Sequence, residues 1–235
     1  LPVILSTGMA NIPEIEQSLK FIAFGFAKAN GIIGADAYPS AAELDLYWDD
    51  PRVQQIMKQK CTILHCTTQY PAELDILNLK AIKLIADKFG LPVGYSDHSA
   101  GILASTVAVA LGATVIEKHF TLARADGGVD SSFSMEPHEF LALRQETERA
   151  WQSLGRVSYG PTEAEKPSLA FRRSLYIAQD LKAGDVLTRE NLRCVRPGFG
   201  LPPKHLDSLL GQRIGRDVVA GTPMAWSLLS PEAAA

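Results

Sequence analysis

The stretch Val93-Gly94-Tyr95-Ser96-Asp97-His98, answered by Thr114-Val115-Ile116-Glu117-Lys118-His119, decides the fold of this chain. Each is a short run of β-forming residues that ends in polar side chains, and each leads into a helical stretch, residues 100–111 and 137–154 respectively. Two further copies of the pattern lie upstream. Val3-Ile4-Leu5-Ser6-Thr7 precedes a helix predicted over 13–30, with Asn11 placed to cap it and Glu14 and Glu16 in its first turn. Thr62-Ile63-Leu64-His65-Cys66 precedes residues 78–89, where Leu79, Ile82 and Ile85 recur at helical spacing. Strands that alternate with helices make parallel βα units. Four units are half of a (β/α)8 TIM barrel, and their polar residues gather at the strand ends where such barrels hold active sites. An open doubly wound sheet would show the same alternation.

Two other regions depart from this pattern. Residues 31–60 carry Tyr38-Pro39-Ser40 and Trp48-Asp49-Asp50-Pro51, which read as turns and helix starts in an inserted excursion on the barrel rim. After Gly155 the character changes: Gly160-Pro161 and Lys166-Pro167 mark a linker, and short β-like pieces follow at 174–178, 181–186, 192–196 and 218–223, with one short helix at 203–210. The expected division is a partial barrel over 1–157, a linker over 158–167 and a small β-rich domain over 168–231. The chain opens on Leu1 and at once enters a strand, so it is expected to be a fragment without the first half of its barrel.

Composition narrows the function classes. With 46% hydrophobic and 21% charged residues and a net charge of −3, the chain is an ordinary globular one, poorly suited to nucleic acid or an anionic membrane as main partner. An apolar run at 101–116 is interrupted by Gly112 and is too short to span a bilayer. The three cysteines, Cys61, Cys66 and Cys194, lack metal-type spacing and are odd in number, which fits a reducing, cytoplasmic compartment.

The strongest chemical constellation is the pair of triplets that end the two quoted strands. His98 and His119 stand one βα unit apart, at equivalent positions, so both imidazoles face one barrel mouth. Two neutral imidazoles with open positions suit a catalytic divalent metal rather than a closed structural site. A lone histidine is more often a hydrogen-bonded core residue; two at matched strand ends reverse that preference. His65-Cys66-Thr67-Thr68-Gln69-Tyr70-Pro71 presents uncharged donors suited to sugar or phosphate oxygens, or else a strand cap with a buried tyrosine. Ser6-Thr7-Gly8-Met9 offers a hydroxyl and backbone N–H groups near a helix start, although such turns are common without a ligand. Asp130, in the loop Gly127-Gly128-Val129-Asp130, either binds a hydroxyl or shapes a turn. Arg196-Pro197-Gly198 sets a cation on a rigid turn, where solvated surface is the ordinary role.

Taken together these segments resemble the sialic acid synthase family, which includes N-acetylneuraminate, legionaminic and pseudaminic acid synthases. Leu5-Ser6-Thr7-Gly8-Met9, His65 to Pro71, Gly94 to His98 and Glu117-Lys118-His119-Phe120-Thr121 carry the likeness. So do Arg172-Arg173-Ser174-Leu175, Lys182-Ala183-Gly184-Asp185, Asn191-Leu192 and Arg196-Pro197-Gly198, which resemble the family's antifreeze-like (SAF, β-clip) domain. The resemblance implies a condensation of phosphoenolpyruvate with N-acetylmannosamine or a related N-acetylated amino sugar. It implies Mn²⁺, or another divalent cation such as Mg²⁺ or Co²⁺, on His98 and His119, acting as a Lewis acid on the sugar aldehyde. Ser6, Thr68 and Ser96 match positions that hold phosphoenolpyruvate, Tyr70 and Asp130 match sugar contacts, and Glu117 is a general acid/base beside the metal. Arg196 matches a residue inserted into the partner subunit's site, which implies a domain-swapped homodimer.

This sequence departs from the family at Thr68, where some members carry an amide, and at the 31–60 insertion. The first four strands of the family's barrel are also expected to be missing, which would leave a half barrel inactive and association-prone. Two other classes compete: another phosphoenolpyruvate-condensing 3-deoxy-sugar-acid synthase, against which the tail argues, and a non-catalytic saccharide- or partner-binding module.

Overall fold

In a computed structural model, which describes residues 1–230, the four predicted strands form one parallel sheet in the order β1-β2-β3-β4. β1 is Val3–Ser6, β2 Cys61–Cys66, β3 Val93–Asp97 and β4 Val115–Lys118. Consecutive strands neighbour each other through helical crossovers, as parallel pairing demands. The sheet belongs to a first compact unit, Leu1–Arg156; the described residues from 157 on belong to a second. The domain end expected at residue 231 lies outside the described residues.

Helix α1 (Ile12–Ala29) begins as its sequence dictates. Asn11 Oδ1 accepts from the amide of Glu14, whose carboxylate accepts from the amide of Asn11, at 3.0 and 2.7 Å. Ile15, Leu19, Ala23 and Phe26 then fall on one buried face. The insertion supplies two helices, α2 (Ala41–Trp48) and α3 (Pro51–Lys60), capped by Ser40 and Asp50. Val53 and Met57 of α3 join the same core, so the inserted excursion is helical, as expected, and packed.

Helix α4 (Ala81–Phe89) starts three residues later than its apolar spacing predicts, because Asn78 adopts φ +47° and cannot continue a right-handed helix. Helix α5 (Leu103–Ala110) is likewise shortened at its start by Gly101 at φ +71°. Helix α6 spans Pro137–Leu154. Ile63, Val93 and Tyr95 meet Leu19, Ala23, Ile82, Ile85, Ala104 and Ala108 in the core between sheet and helices. Strand alternation sends Ile4, Ser6, Leu64, Cys66, Gly94, Ser96 and Glu117 to the opposite face. There Gly94 is required: a Cβ would lie 2.5 Å from both Leu64 Cδ2 and the Val115 carbonyl oxygen.

The second unit holds strands β5 (Ser174–Ile177) and β6 (Leu192–Val195), paired antiparallel. The pieces expected as strands near 181–186 and 218–223 contribute isolated bridges, Leu181 to Val218 and Tyr176 to Pro223 among them. The predicted helix at 203–210 is a 3₁₀ turn, Pro203–His205, running into the short α7 (Leu206–Leu209). Leu175, Ile177, Leu187, Leu192, Leu209, Ile214 and Leu228 form its core. Among the described residues no helix is long and apolar enough to cross a membrane. The three cysteines are free thiols, and burial pushes that of Cys61 up to about 11.

Candidate functional site

Parallel register decides which side chains meet at the sheet's C-terminal end. Ser96 is the partner of Glu117, and both point away from the helices; Ser96 Oγ donates to Glu117 Oε1 at 2.8 Å. Just beyond the strand ends, the rings of His98 and His119 approach to 5.3 Å between centroids. The two histidines predicted as a pair are a pair in space.

The backbone fixes the tautomer of one of them. His98 Nδ1 lies 2.9 Å from the carbonyl oxygen of Thr67, which can only accept, so Nδ1 carries the proton and Nε2 keeps its lone pair. The Nδ1 of His119 faces Asp130 Oδ2 at 3.6 Å, just beyond hydrogen-bond reach. An Nε2 left open while Nδ1 donates behind it is the donor arrangement a divalent cation takes from histidine, and His98 shows it. The residues therefore fit the expected ion.

An aromatic wall stands over the pair. Tyr70 lies 4.2 Å from His98 and 5.6 Å from His119, and Phe133 lies 5.0 Å from His119 and 5.8 Å from Tyr70, centroid to centroid. Tyr70 is brought there because Ala72, two residues on, donates its amide to the His98 carbonyl at 2.9 Å. Phe133 is brought there by the loop after β4, which returns so that Met135 N bonds the His119 carbonyl at 2.9 Å.

Arg124 staples this loop: its guanidinium binds Glu139 with two N–H groups, at 2.5 and 3.1 Å, and its amide donates to Glu136 at 2.8 Å. The guanidinium holds the Glu139 carboxyl down at about 2. Among the described residues, Glu136, His138 and Glu139 are the one group of three whose possible metal-ligating atoms lie within 4.8 Å of one another. Both of its carboxylates already serve Arg124, so it reads as the anchor of the loop.

The other predicted residues divide by location. Thr68 covers Gly8, where a Cβ would sit 2.4 Å from its Oγ1; Ser6 is exposed at the end of β1, on the same face of the sheet as Ser96. Both belong to the β1–β2 side of the sheet end. His65, part of the predicted donor cluster, points to the helix side, gives Nε2–H to the Leu77 carbonyl at 2.7 Å and stacks on Tyr95; it is a partly buried histidine whose Nε2 is satisfied. Arg196 lies exposed in the second unit, on a turn whose Pro197 carbonyl accepts from the buried Ser174 hydroxyl at 2.8 Å.

Sequence reasoning gave no role to the middle residue of each triplet. Asp97 and Lys118 pair at 2.9 Å, 0 and 2% exposed, on the helix side of the sheet. Strand alternation was the available signal, since it sends Asp97 and Lys118 to the face opposite Ser96 and Glu117.

Comparison with known proteins shows the family. Residues 1–159 match the NeuB family and residues 172–230 the SAF domain. N,N'-diacetyllegionaminic acid synthase of Legionella pneumophila is 35% identical over 227 residues, 96% of this chain and 56% of that protein. Pseudaminic acid synthase of Campylobacter jejuni is 42% identical over 158 residues, 67% of this chain and 46% of its own length. The chain thus spans about half the length of the curated relatives it matches. Among solved structures, a Chromobacterium violaceum protein assigned to spore coat polysaccharide biosynthesis matches with a TM-score of 0.63 over 98% of this chain and 61% of its own, at 24% identity, a likeness of fold.

Proposed function

This chain belongs to the NeuB family, and from that premise we propose that it carries the metal-binding half of a site that condenses phosphoenolpyruvate with an N-acetylated amino-sugar aldehyde. The supporting observation is the approach of the His98 and His119 rings to 5.3 Å beside the Ser96–Glu117 hydrogen bond. In the proposed reaction the methylene carbon of phosphoenolpyruvate forms a bond to the aldehyde carbon, and the aldehyde oxygen gains a proton to become a hydroxyl. Water adds at the phosphate-bearing carbon, and inorganic phosphate leaves to give a nonulosonic acid.

His98 and His119 would hold the divalent cation, Mn²⁺ by preference, through Nε2. When bound, that ion supplies Lewis-acid polarisation of the aldehyde. Glu117, hydrogen-bonded to Ser96, is the nearby carboxylate for moving a proton on or off the reacting oxygens. Ser96, Ser6 and Thr68 line the sheet end with hydroxyls for phosphoenolpyruvate, while Tyr70 and Asp130 flank the histidines where the sugar would lie. Arg196 is proposed to reach the site of a partner subunit in a homodimer. Three free thiols fit the reducing cytoplasm as its compartment.

Phosphate release by the full-length protein tests this reading, with phosphoenolpyruvate and a panel of N-acetylmannosamine and 6-deoxy diamino sugars. Sugar-dependent release supports it. No release with any sugar, in the presence of Mn²⁺, contradicts it.

A further inference from the structure

β3 and β4 are locked from both faces immediately before the two histidines. On the face away from the helices, Ser96 donates to Glu117. One residue further on, and on the helix face, the register partners Asp97 and Lys118 make their buried ion pair. Asp97 Oδ1 accepts from the amide and the hydroxyl of Ser99 at 2.8 and 2.7 Å, and Oδ2 accepts from Ser105 of α5 at 2.6 Å. Lys118 Nζ also donates to the Ser99 carbonyl at 2.6 Å. A buried ion pair is a poor way to gain stability, since apolar residues of the same volume carry no desolvation cost. Its contacts instead converge on the backbone on both sides of His98 and on the residue that precedes His119.

We propose that Asp97 and Lys118 are positioning residues, which set the separation and aim of the His98 and His119 rings. They act through the strand ends: a rung between β3 and β4, tied into Ser99 and α5, fixes the slide of one strand along the other. The ring separation depends directly on that slide. Solvent is excluded from the rung, so competing water does not loosen it. The proposal deepens the reading of the two histidines as metal ligands and rests on it for its functional consequence.

The test uses the full 235-residue chain with ¹⁵N-labelled histidine, first without metal and then titrated with Mn²⁺. In the metal-free chain the contact between the His98 and His119 rings is read by nuclear Overhauser effect. Asp97→Asn and Lys118→Met are expected to lose that contact and to weaken Mn²⁺ binding by about tenfold or more, whereas Lys118→Arg retains both. Ser105→Ala, which leaves the ion pair in place, is expected to shift the His98 ring resonances and preserve the fold. The proposal is overturned if the folded double variant Asp97→Asn/Lys118→Met keeps the ring contact and binds Mn²⁺ within about twofold of the parent. It is overturned equally if Lys118→Arg behaves as Lys118→Met does. Where the buried-pair variants do not fold, Ser105→Ala decides, and an unmoved His98 ring sinks the idea. A parent chain that binds no Mn²⁺ defeats the metal reading alone, because the metal-free ring contact still decides the positioning role.

Discussion

The carbonyl oxygen of Thr67 lies 2.9 Å from Nδ1 of His98, so the loop after β2 dictates which nitrogen of the neighbouring strand's histidine stays free. The same loop carries Tyr70 over the imidazole, at 4.2 Å between centroids. Tautomer and cover are thus set by one short segment, and a change there alters both.

Glu117→Gln in the full-length protein is expected to lower kcat by about 10²–10⁴-fold, the usual contribution of a positioned acid or base. The amide still accepts from Ser96, so folding is unaffected and KM for phosphoenolpyruvate changes less than kcat. Steady-state phosphate release checks this; an unchanged kcat removes Glu117 from proton transfer.

Gly94→Ala is expected to destabilise the first unit by about 1–3 kcal/mol, because the new methyl meets a backbone oxygen that cannot move aside. The clash is with Val115 O at 2.5 Å, across the β3–β4 pairing. Denaturant unfolding of the variant against the parent measures the effect, and equal midpoints would show that the strands separate without cost.

The Arg124–Glu139 pair makes the loop over the histidines sensitive to acid. The folded carboxyl titrates at about 2, below the ordinary glutamate value, because the guanidinium holds it ionised. Its stabilisation is therefore fully present above the ordinary carboxylate range and is lost as pH falls toward 2. Arg124→Ala should raise the Glu139 titration toward that ordinary range, with the Glu136 amide still holding it partly down. Carbon-13 carboxyl shifts of Glu139 followed from pH 6 to pH 2 read both midpoints; identical midpoints would show that Arg124 does not hold the loop.

Much of this arrangement was legible in the sequence, for physical reasons that can be named. β-forming runs and helical spacing identified all four βα units, and Asn11 marked the start of α1 because a side-chain acceptor is needed there. The helix starts expected at Asn78 and Ala100 lie three residues before the observed ones, since apolar spacing does not register Asn78 and Gly101 in the left-handed region. His98 and His119 were visible as equivalent strand ends. The Thr67 carbonyl behind His98 was not, because a backbone acceptor leaves no mark on composition. Asp97 and Lys118 stood in plain view within the two triplets, yet their pairing appears only when register and alternation are applied together. Phe133 reaches the site through a loop whose return path depends on Arg124 and Glu139, fifteen residues apart.

His98 and His119 are proposed to form a metal-binding pair through Nε2. Mn²⁺ titrated into the ¹⁵N-histidine-labelled chain tests it most directly, because all five histidines report at once. The ring resonances of His98 and His119 are expected to broaden first and together at substoichiometric Mn²⁺, ahead of those of His65, His138 and His205. Broadening confined to His138, beside Glu136 and Glu139, or no broadening of the His98 and His119 rings, would contradict it.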